Sequence, residues 1–316
     1  MNRRDALTTG TALAASWCTF RSSAAASDST TAEFNPRYCL NTGTIRGQEL
    51  TLVEQIDLAA KTGYDGIEPW TRDIQKYKDE GGSLPDLKKR LEDHGLRVES
   101  AIGFANWIVD DDAQREKGLE DARRDMELVK AIGGSHIAAP PAGASGQDSP
   151  KLDLFVVAER YGALLKAGEV IGVIPQIEVW GPSRNLSRLG EAVFVAVESG
   201  HPHACVLPDV YHVYRGGSGF DGLGVIAGTA LHCFHMNDYP TDRPRETLND
   251  ADRVYPGDGN APLNEIINLL RRTGFNGALS LELFNRDYWK QPAEEVAITG
   301  LAKMRDAVAQ AVAVNA

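Results

Sequence analysis

Four residues of the types that bind hard cations stand in or at the end of apolar runs in the second half of the chain. Glu178 follows Ile174-Pro175-Gln176-Ile177, and Asp209 follows Val206-Leu207-Pro208. His235 lies in Phe234-His235-Met236, and Glu282 in Leu281-Glu282-Leu283. A carboxylate in such a run is costly to bury unless a counter-charge or a metal satisfies it. Three carboxylates and one imidazole suit one divalent ion, Mn²⁺, Mg²⁺, Co²⁺ or Zn²⁺; a set without thiolates argues against a structural zinc site. Such an ion, bridging a carbonyl and a neighbouring hydroxyl, acidifies the C–H between them and stabilises the enediolate left by proton loss. Glu178 and Glu282 are the candidates to remove and return that proton. Return to the same carbon is epimerisation, transfer to the next carbon is aldose–ketose isomerisation, and departure of a β-hydroxyl is dehydration.

Chemistry of this kind needs the four side chains brought to one point, and the rest of the sequence supplies a frame for that. From about residue 37, short β-type runs alternate with amphipathic helical stretches. The expected strands are Tyr38–Thr42, Gly66–Trp70, Arg97–Phe104, His136–Pro140, Pro175–Trp180, Ala204–Asp209, Leu231–Asn237 and Ala278–Phe284. Helices are expected over Leu50–Thr62, Leu84–His94, Glu116–Ile132, Leu152–Ile171, Leu186–Ser199 and Leu263–Thr273. A short Gly-rich helix is expected near Phe220–Ala227, and a closing one from Pro292 to about Val312. Gly63, Gly95, Gly133 and Gly274 stand where four helices end, as expected of residues that reach the left-handed conformation and turn the chain. Eight strand–helix pairs without a Gly-rich dinucleotide fingerprint favour a closed (β/α)8 barrel over an open doubly wound sheet. In such barrels the C-terminal strand ends carry the chemistry. Glu178, Asp209, His235 and Glu282 occupy those ends on four consecutive strands. His136, which begins its strand, His232, early in its own, and the turn residues His201 and His203 read as structural.

Composition sets further bounds. The chain has 316 residues, 42% of them hydrophobic, enough for one large core. Its net charge of -11 and the lack of any Lys/Arg cluster exclude a polyanion-binding surface, so no nucleic-acid partner is expected. Arg3-Arg4, the weakly apolar run Ala6 to Trp17 and the small residues Ala24-Ala25-Ala26 form a twin-arginine export signal over residues 1–26. The run is too short and polar to be a stable membrane span. Cleavage would remove three arginines and one aspartate and take the charge from -11 to about -13. Residues 27–36 read as a linker and 37–316 as the barrel, with the product periplasmic or extracellular. The remaining Cys39, Cys205 and Cys233 are odd in number and lie in apolar strand contexts, which points to buried free thiols.

The chain resembles the xylose-isomerase-like TIM-barrel superfamily of sugar (phosphate) isomerases and epimerases, which includes inosose isomerases, dehydratases and an endonuclease branch. The resemblance rests on Gly63-Tyr64-Asp65-Gly66-Ile67-Glu68, Ile177-Glu178, Asp209-Val210-Tyr211-His212, His235-Met236-Asn237-Asp238, Pro256-Gly257-Asp258-Gly259 and Leu281-Glu282-Leu283. It implies that Glu178, Asp209, His235 and Glu282 hold the metal, that the two glutamates shuttle a proton, and that His212 and Arg253 contact substrate oxygens. The endonuclease branch carries a histidine where this chain has Val254 and another on the second strand, where Glu68 stands instead. Two additional zinc ions would therefore lack ligands.

Aromatic residues recur near the same strand ends. Trp107 and Trp180 are expected to stack on a sugar ring, alongside Trp70, Phe104, Tyr211 and Tyr214, and Glu68 is expected to contact substrate hydroxyls. Export and the lack of a Lys- or Gly-rich phosphate cradle favour a free keto-sugar, a cyclitol or an oxidised glycoside as the small-molecule partner. The leading expectation is a metal-dependent sugar isomerase or epimerase. The alternatives are a dehydratase or lyase of an inosose or 3-keto-sugar on the same site, and a non-catalytic exported carbohydrate-binding barrel. A homo-oligomer is compatible with the sequence.

Overall fold

The computed structural model describes residues 34–313. The expected export signal over 1–26 and residues 27–33 of the expected linker lie outside the described residues. Eight parallel strands follow one another as β1 (Arg37–Asn41), β2 (Gly66–Glu68), β3 (Arg97–Val98), β4 (His136–Ala139), β5 (Ile174–Glu178), β6 (Val206–Leu207), β7 (Cys233–Met236) and β8 (Ala278–Leu281). The helices among the described residues are α1 (Leu52–Thr62), α2 (Thr71–Asp79), α3 (Leu84–Asp93), α4 (Asp112–Ala131), α5 (Leu154–Ile171), α6 (Leu189–Glu198), α7 (Val210–Arg215), α8 (Leu263–Arg272) and α9 (Ala293–Ala313).

Two ladders, β3-β2-β1-β8-β7 and β4-β5-β6, are joined by single contacts. The Ala138 amide donates to Ala101 O at 2.8 Å, and the His235 amide donates to Pro208 O at 3.0 Å. These contacts link the ladders into one (β/α)8 barrel, as the strand–helix alternation predicts.

Alternation along each strand decides what is buried where. Leu40, Ile67, Ile137, Ile177, Phe234, Leu279 and Leu281 belong to the large apolar layer shared with the helices. Their neighbours Asn41, Glu68, Gln176, Glu178, His235, Ser280 and Glu282 are buried too, so the barrel interior is polar. Only a small second cluster, Trp70, Ile102, Ala138, Leu207 and Cys233, makes the interior apolar in part. This is why carboxylates sit within apolar runs: each flanking residue faces the helices.

Helix ends follow local chemistry. Thr51 and Glu54 form a reciprocal cap at the start of α1. Gly63, Gly95, Gly133 and Gly274 take φ values of +88°, +65°, +91° and +79° at the junctions where they were expected. Several expected strands are shorter in the structure; β3 aside, β6 shrinks most, to Val206–Leu207 against the expected Ala204–Asp209. Three further differences concern β3 and two helices. The third strand is confined to Arg97–Val98. Beyond it only single backbone contacts continue the pairing, the Glu99 amide to Ile67 O at 3.2 Å and the Trp70–Ile102 bridge, while the Glu99 carboxylate pairs with Arg37 (Nε–Oε1 2.6 Å) and Arg97. Helix α2 is absent from the sequence reading because it buries only Thr71 and Ile74, too few to mark a helical stripe. The stretch Phe220–Val225 is a short 3-10 turn, and the sixth helical position is filled instead by α7, directly after Asp209. Cys39, Cys205 and Cys233 are buried free thiols.

At the N-terminal end of the barrel, the rings of His136 and His232 lie 4.2 Å apart. Burial, reinforced by His232 and Arg37, pushes the pKa of His136 down to about 3. The unfolded chain therefore takes up this proton first, and stability falls as pH drops from the ordinary value of 6.5 toward 3. The His136→Gln variant is expected to lose Tm less steeply than the wild type over that window. Parallel slopes in calorimetric scans at stepped pH would refute this.

Candidate active site

The strand register sets side chains from different strands at one depth. Asn41 pairs with Glu68 across β1 and β2, and His235 pairs with Ser280 across β7 and β8. Asp209 bridges to His235, and the Glu282 amide donates to Met236 O. As a result, ligand atoms of Asp209, His235 and Glu282 lie within 4.8 Å of one another, all buried. Glu178, at the end of β5, is not part of that close triplet; it lines the cavity beside it together with Glu282. The cavity encloses about 660 Å³ at the C-terminal end of the barrel, within the range that holds small-molecule ligands.

Buried atoms without a hydrogen-bond partner gather here, Glu178 Oε2, His235 Nδ1 and Arg253 Nε among them. Orphaned buried polar atoms are rare in folded proteins and call for an explanation such as an ion. An imidazole lone pair and carboxylate oxygens around one point form a donor set for a hard or borderline divalent cation. The residues present thus fit a metal. Burial, with Glu282 and Asp209 adding to it and His235 opposing, raises the Glu178 pKa to about 8. That places its protonation change near neutral pH, as proton transfer requires.

Arg253 is buried at the centre of this arrangement. Its Nη1 donates at 2.8 Å to both Asp209 Oδ2 and Glu282 Oε2, and Nη2 donates at 2.8 Å to Asp250 Oδ1. Nη2 also lies 3.0 Å from His212 Nε2. Burial and the Arg253 charge push the His212 pKa down to about 4, which keeps the ring neutral and able to hydrogen-bond as donor or acceptor. The guanidinium sits 4.7 Å from the Tyr211 ring and 5.1 Å from the Phe284 ring.

An aromatic wall completes the cavity. Trp70 and Phe104 lie 5.0 Å apart, and Phe104 and Trp180 6.1 Å apart. Trp180 and His212 line the cavity with them.

Two of the expected substrate contacts are placed elsewhere. Trp107 does not line this cavity. It is 1% exposed, donates from Nε1 to Pro140 O at 2.8 Å and packs on Tyr161, so it belongs to the core beneath the loops. Sequence spacing placed it after the third strand but could not show that the loop folds it inward. Glu68 is wholly buried below the cavity and bonded to side chains of the barrel interior. The Trp107→Phe variant is expected to lose about 0.5–1.5 kcal/mol of stability with the hydrogen bond to Pro140 O, which keeps its second donor, the Ala142 amide. Its KM should be unchanged; denaturant melts and steady-state kinetics check both.

A model of the family described as xylose isomerase-like TIM barrel matches residues 56–307. The chain belongs to that family. Within this xylose isomerase-like family the chain is similar to the inosose isomerase of Bacillus velezensis, at 27% identity over 260 residues covering 82% of this chain and 92% of that protein. It is also similar to the 3-dehydroshikimate dehydratase of Pseudomonas putida, at 24% identity over 80% of this chain and 39% of that protein. A solved structure of an IolI protein with a binding zinc atom has the same fold. Its TM-score is 0.79 at 24% identity, covering 87% of this chain and 98% of that one. The chain is thus an enzyme of the sugar isomerase and epimerase class, a class whose relatives here include a lyase. Among the described residues no helix is long and apolar enough to cross a membrane.

The family motifs find their physical uses in the structure. Asp238 accepts from the amides of Tyr239, Gly257 and Ala261, so the Pro-Gly-x-Gly turn is docked on it. At Gly259 a Cβ would lie 2.3 Å from Asp238 Oδ1, which leaves room only for glycine. Asn237 donates to Asp209 Oδ2 at 2.9 Å and accepts from the Tyr211 amide, orienting the carboxylate. Asn41, Ser280 and Asp250 also belong to the site and carry no signal in the sequence, because each is defined only by partners on other strands or loops.

Proposed function

We propose that this protein is a metal-dependent isomerase or epimerase of a free keto-sugar or cyclitol, working by proton transfer through an enediolate. The observation that carries the reading is the buried triplet Asp209, His235 and Glu282 beside the unpartnered Glu178 oxygen on one cavity wall. One divalent metal, held by Glu178, Asp209, His235 and Glu282, would supply Lewis-acid polarisation of a carbonyl and its neighbouring hydroxyl.

The chain's own residues do the rest. Glu178 lines the cavity with one oxygen free of protein partners, which places it to take or give a proton. Glu282 is fixed by Asn41 and Arg253 and serves as its counterpart. His212 and Arg253 line the cavity, and Arg253 Nε, which has no partner in the protein, is the donor left for a substrate oxygen. Trp180, Phe104 and Trp70 give an apolar face for a sugar ring and exclude water. Arg253 is already shared among Asp209, Glu282 and Asp250, which disfavours a phosphorylated substrate. Export by the twin-arginine route, before cleavage near residue 26, would deliver the folded enzyme to the periplasm or beyond.

A second reading on the same site, dehydration of an inosose or 3-keto-sugar, is supported by the similarity to the Pseudomonas putida dehydratase. The test is metal analysis of the purified protein, followed by incubation with a panel of inososes and keto-sugars in D₂O. Bound metal with deuterium entering next to the carbonyl, and no loss of water, supports the isomerase or epimerase. Water loss selects the dehydratase. Neither metal nor exchange overturns both.

A further inference from the structure

We propose that Glu68 is a positioning residue: its carboxylate accepts a hydrogen bond from Nε2–H of His235 and thereby assigns Nδ1 as the atom His235 offers a metal. The proposal rests on the metal-dependent reading above.

Glu68 ends β2 and has no exposed surface. Its Oε2 accepts from Ser280 Oγ at 2.7 Å and Asn41 Nδ2 at 2.9 Å, and lies 3.1 Å from His235 Nε2. Its Oε1 faces the Cys233 thiol at 3.9 Å. A buried carboxylate is tolerable only when its oxygens are satisfied, and here the protein alone satisfies them. Glu68 is therefore spent on the barrel interior and has no oxygen to offer a substrate.

Each nitrogen of His235 lies 3.1 Å from a carboxylate oxygen, but only the Nε2–Glu68 pair has hydrogen-bond geometry, while Nδ1 faces the Asp209–Glu282 cluster. Nε2 meets the Glu68 carboxylate, an acceptor, which fixes the proton on that nitrogen in the neutral ring. Nδ1 makes no hydrogen bond; the nearest acidic oxygens are Glu282 Oε2 at 3.1 Å and Asp209 Oδ2 at 3.7 Å. A ring whose Nδ1 faces two carboxylates while the opposite nitrogen is held by a third is the arrangement of a metal-ligating histidine with its carboxylate support once an ion replaces the Nδ1 proton. Asn41 extends the support to a second candidate ligand, since its Nδ2 also donates to Glu282 Oε1 at 3.0 Å. Asn41, Glu68 and Ser280 thus form a floor that sets the direction of both His235 and Glu282. The rival geometry on these residues is a cation held by His235 Nε2, Glu68 and Cys233. It would require Glu68 to give up its other hydrogen bonds.

The full chain labelled with ¹⁵N-histidine and loaded with ¹¹³Cd²⁺ tests the assignment directly. The expected result is cadmium coupling to Nδ1 of His235 and a retained proton on Nε2, with the signal identified by its absence in the His235→Gln variant. The Glu68→Gln variant should bind Cd²⁺ and Mn²⁺ about 10–100-fold more weakly in chelator competition, with its fold checked by thermal melting. Coupling through Nε2, or undiminished affinity in Glu68→Gln, overturns the positioning role while leaving the metal reading intact. A wild-type protein that binds neither cation overturns both. If Glu68→Gln fails to fold, the wild-type spectrum still decides.

Discussion

The Glu178→Gln variant is expected to lose proton exchange next to the substrate carbonyl by about 10²–10⁴-fold or more, the contribution typical of a positioned acid–base group. Its melting temperature should stay close to that of the wild type. The two halves of this expectation have one origin. Glu178 Oε2 has no hydrogen-bond partner in the protein, and burial beside carboxylates already makes its charge unfavourable. An uncharged side chain of the same shape therefore removes little that holds the fold together. Glu282 is different, because its oxygens are engaged by Asn41 and Arg253. Glu282→Gln should lose exchange as well, with a measurable stability change beside it. Deuterium incorporation followed by NMR, paired with calorimetry, separates the two glutamates. Full exchange in Glu178→Gln would remove that residue from the chemistry.

The largest stability effect is expected at Arg253. Its guanidinium is 1% exposed and shared among Asp209, Glu282 and Asp250. Taking one partner out of a buried ionic network leaves uncompensated charge, at a cost of about 3–5 kcal/mol. Arg253→Met keeps much of the volume and should show that loss in denaturant melts. Arg253→Lys keeps the charge but lacks the planar fork that reaches several acceptors, and should fall between. Excess divalent cation should restore part of the stability of Arg253→Met, since an ion bound to the folded state stabilises it by mass action. Equal losses in both variants, insensitive to cations, would show that packing and not charge is what Arg253 provides.

These two residues also mark how far the sequence could be read. Glu178 stood out because a carboxylate between Ile177 and Val179 is an anomaly that only a special environment resolves. Asp209, His235 and Glu282 stood out for the same reason. Arg253 carried no such anomaly. It lies in a polar stretch between Asp252 and Val254, and its burial comes from the loop folding over the barrel mouth, where Asp250 and His212 receive it. Glu68 was visible as an acid ending a strand, but the choice between substrate and His235 was not. That choice depends on Ser280 and Asn41, which are 212 and 27 residues away in the chain. Trp107 failed for a related reason: an aromatic residue just beyond a strand can close over the site or fold under the loop, and only its neighbours decide.

By itself the sequence determined the eight strand–helix units, the face that each strand turns to its helices, and the strand ends that carry acid and imidazole. These follow from local periodicity, because a side chain's face is set by its own strand. The tertiary structure alone decided the depth and partners of each polar group: the close triplet with Glu178 beside it, Glu68 beneath His235, and Arg253 among three carboxylates. Those depend on register and stagger between strands far apart in the chain, and on loops that fold back over the barrel, which no single run of residues encodes.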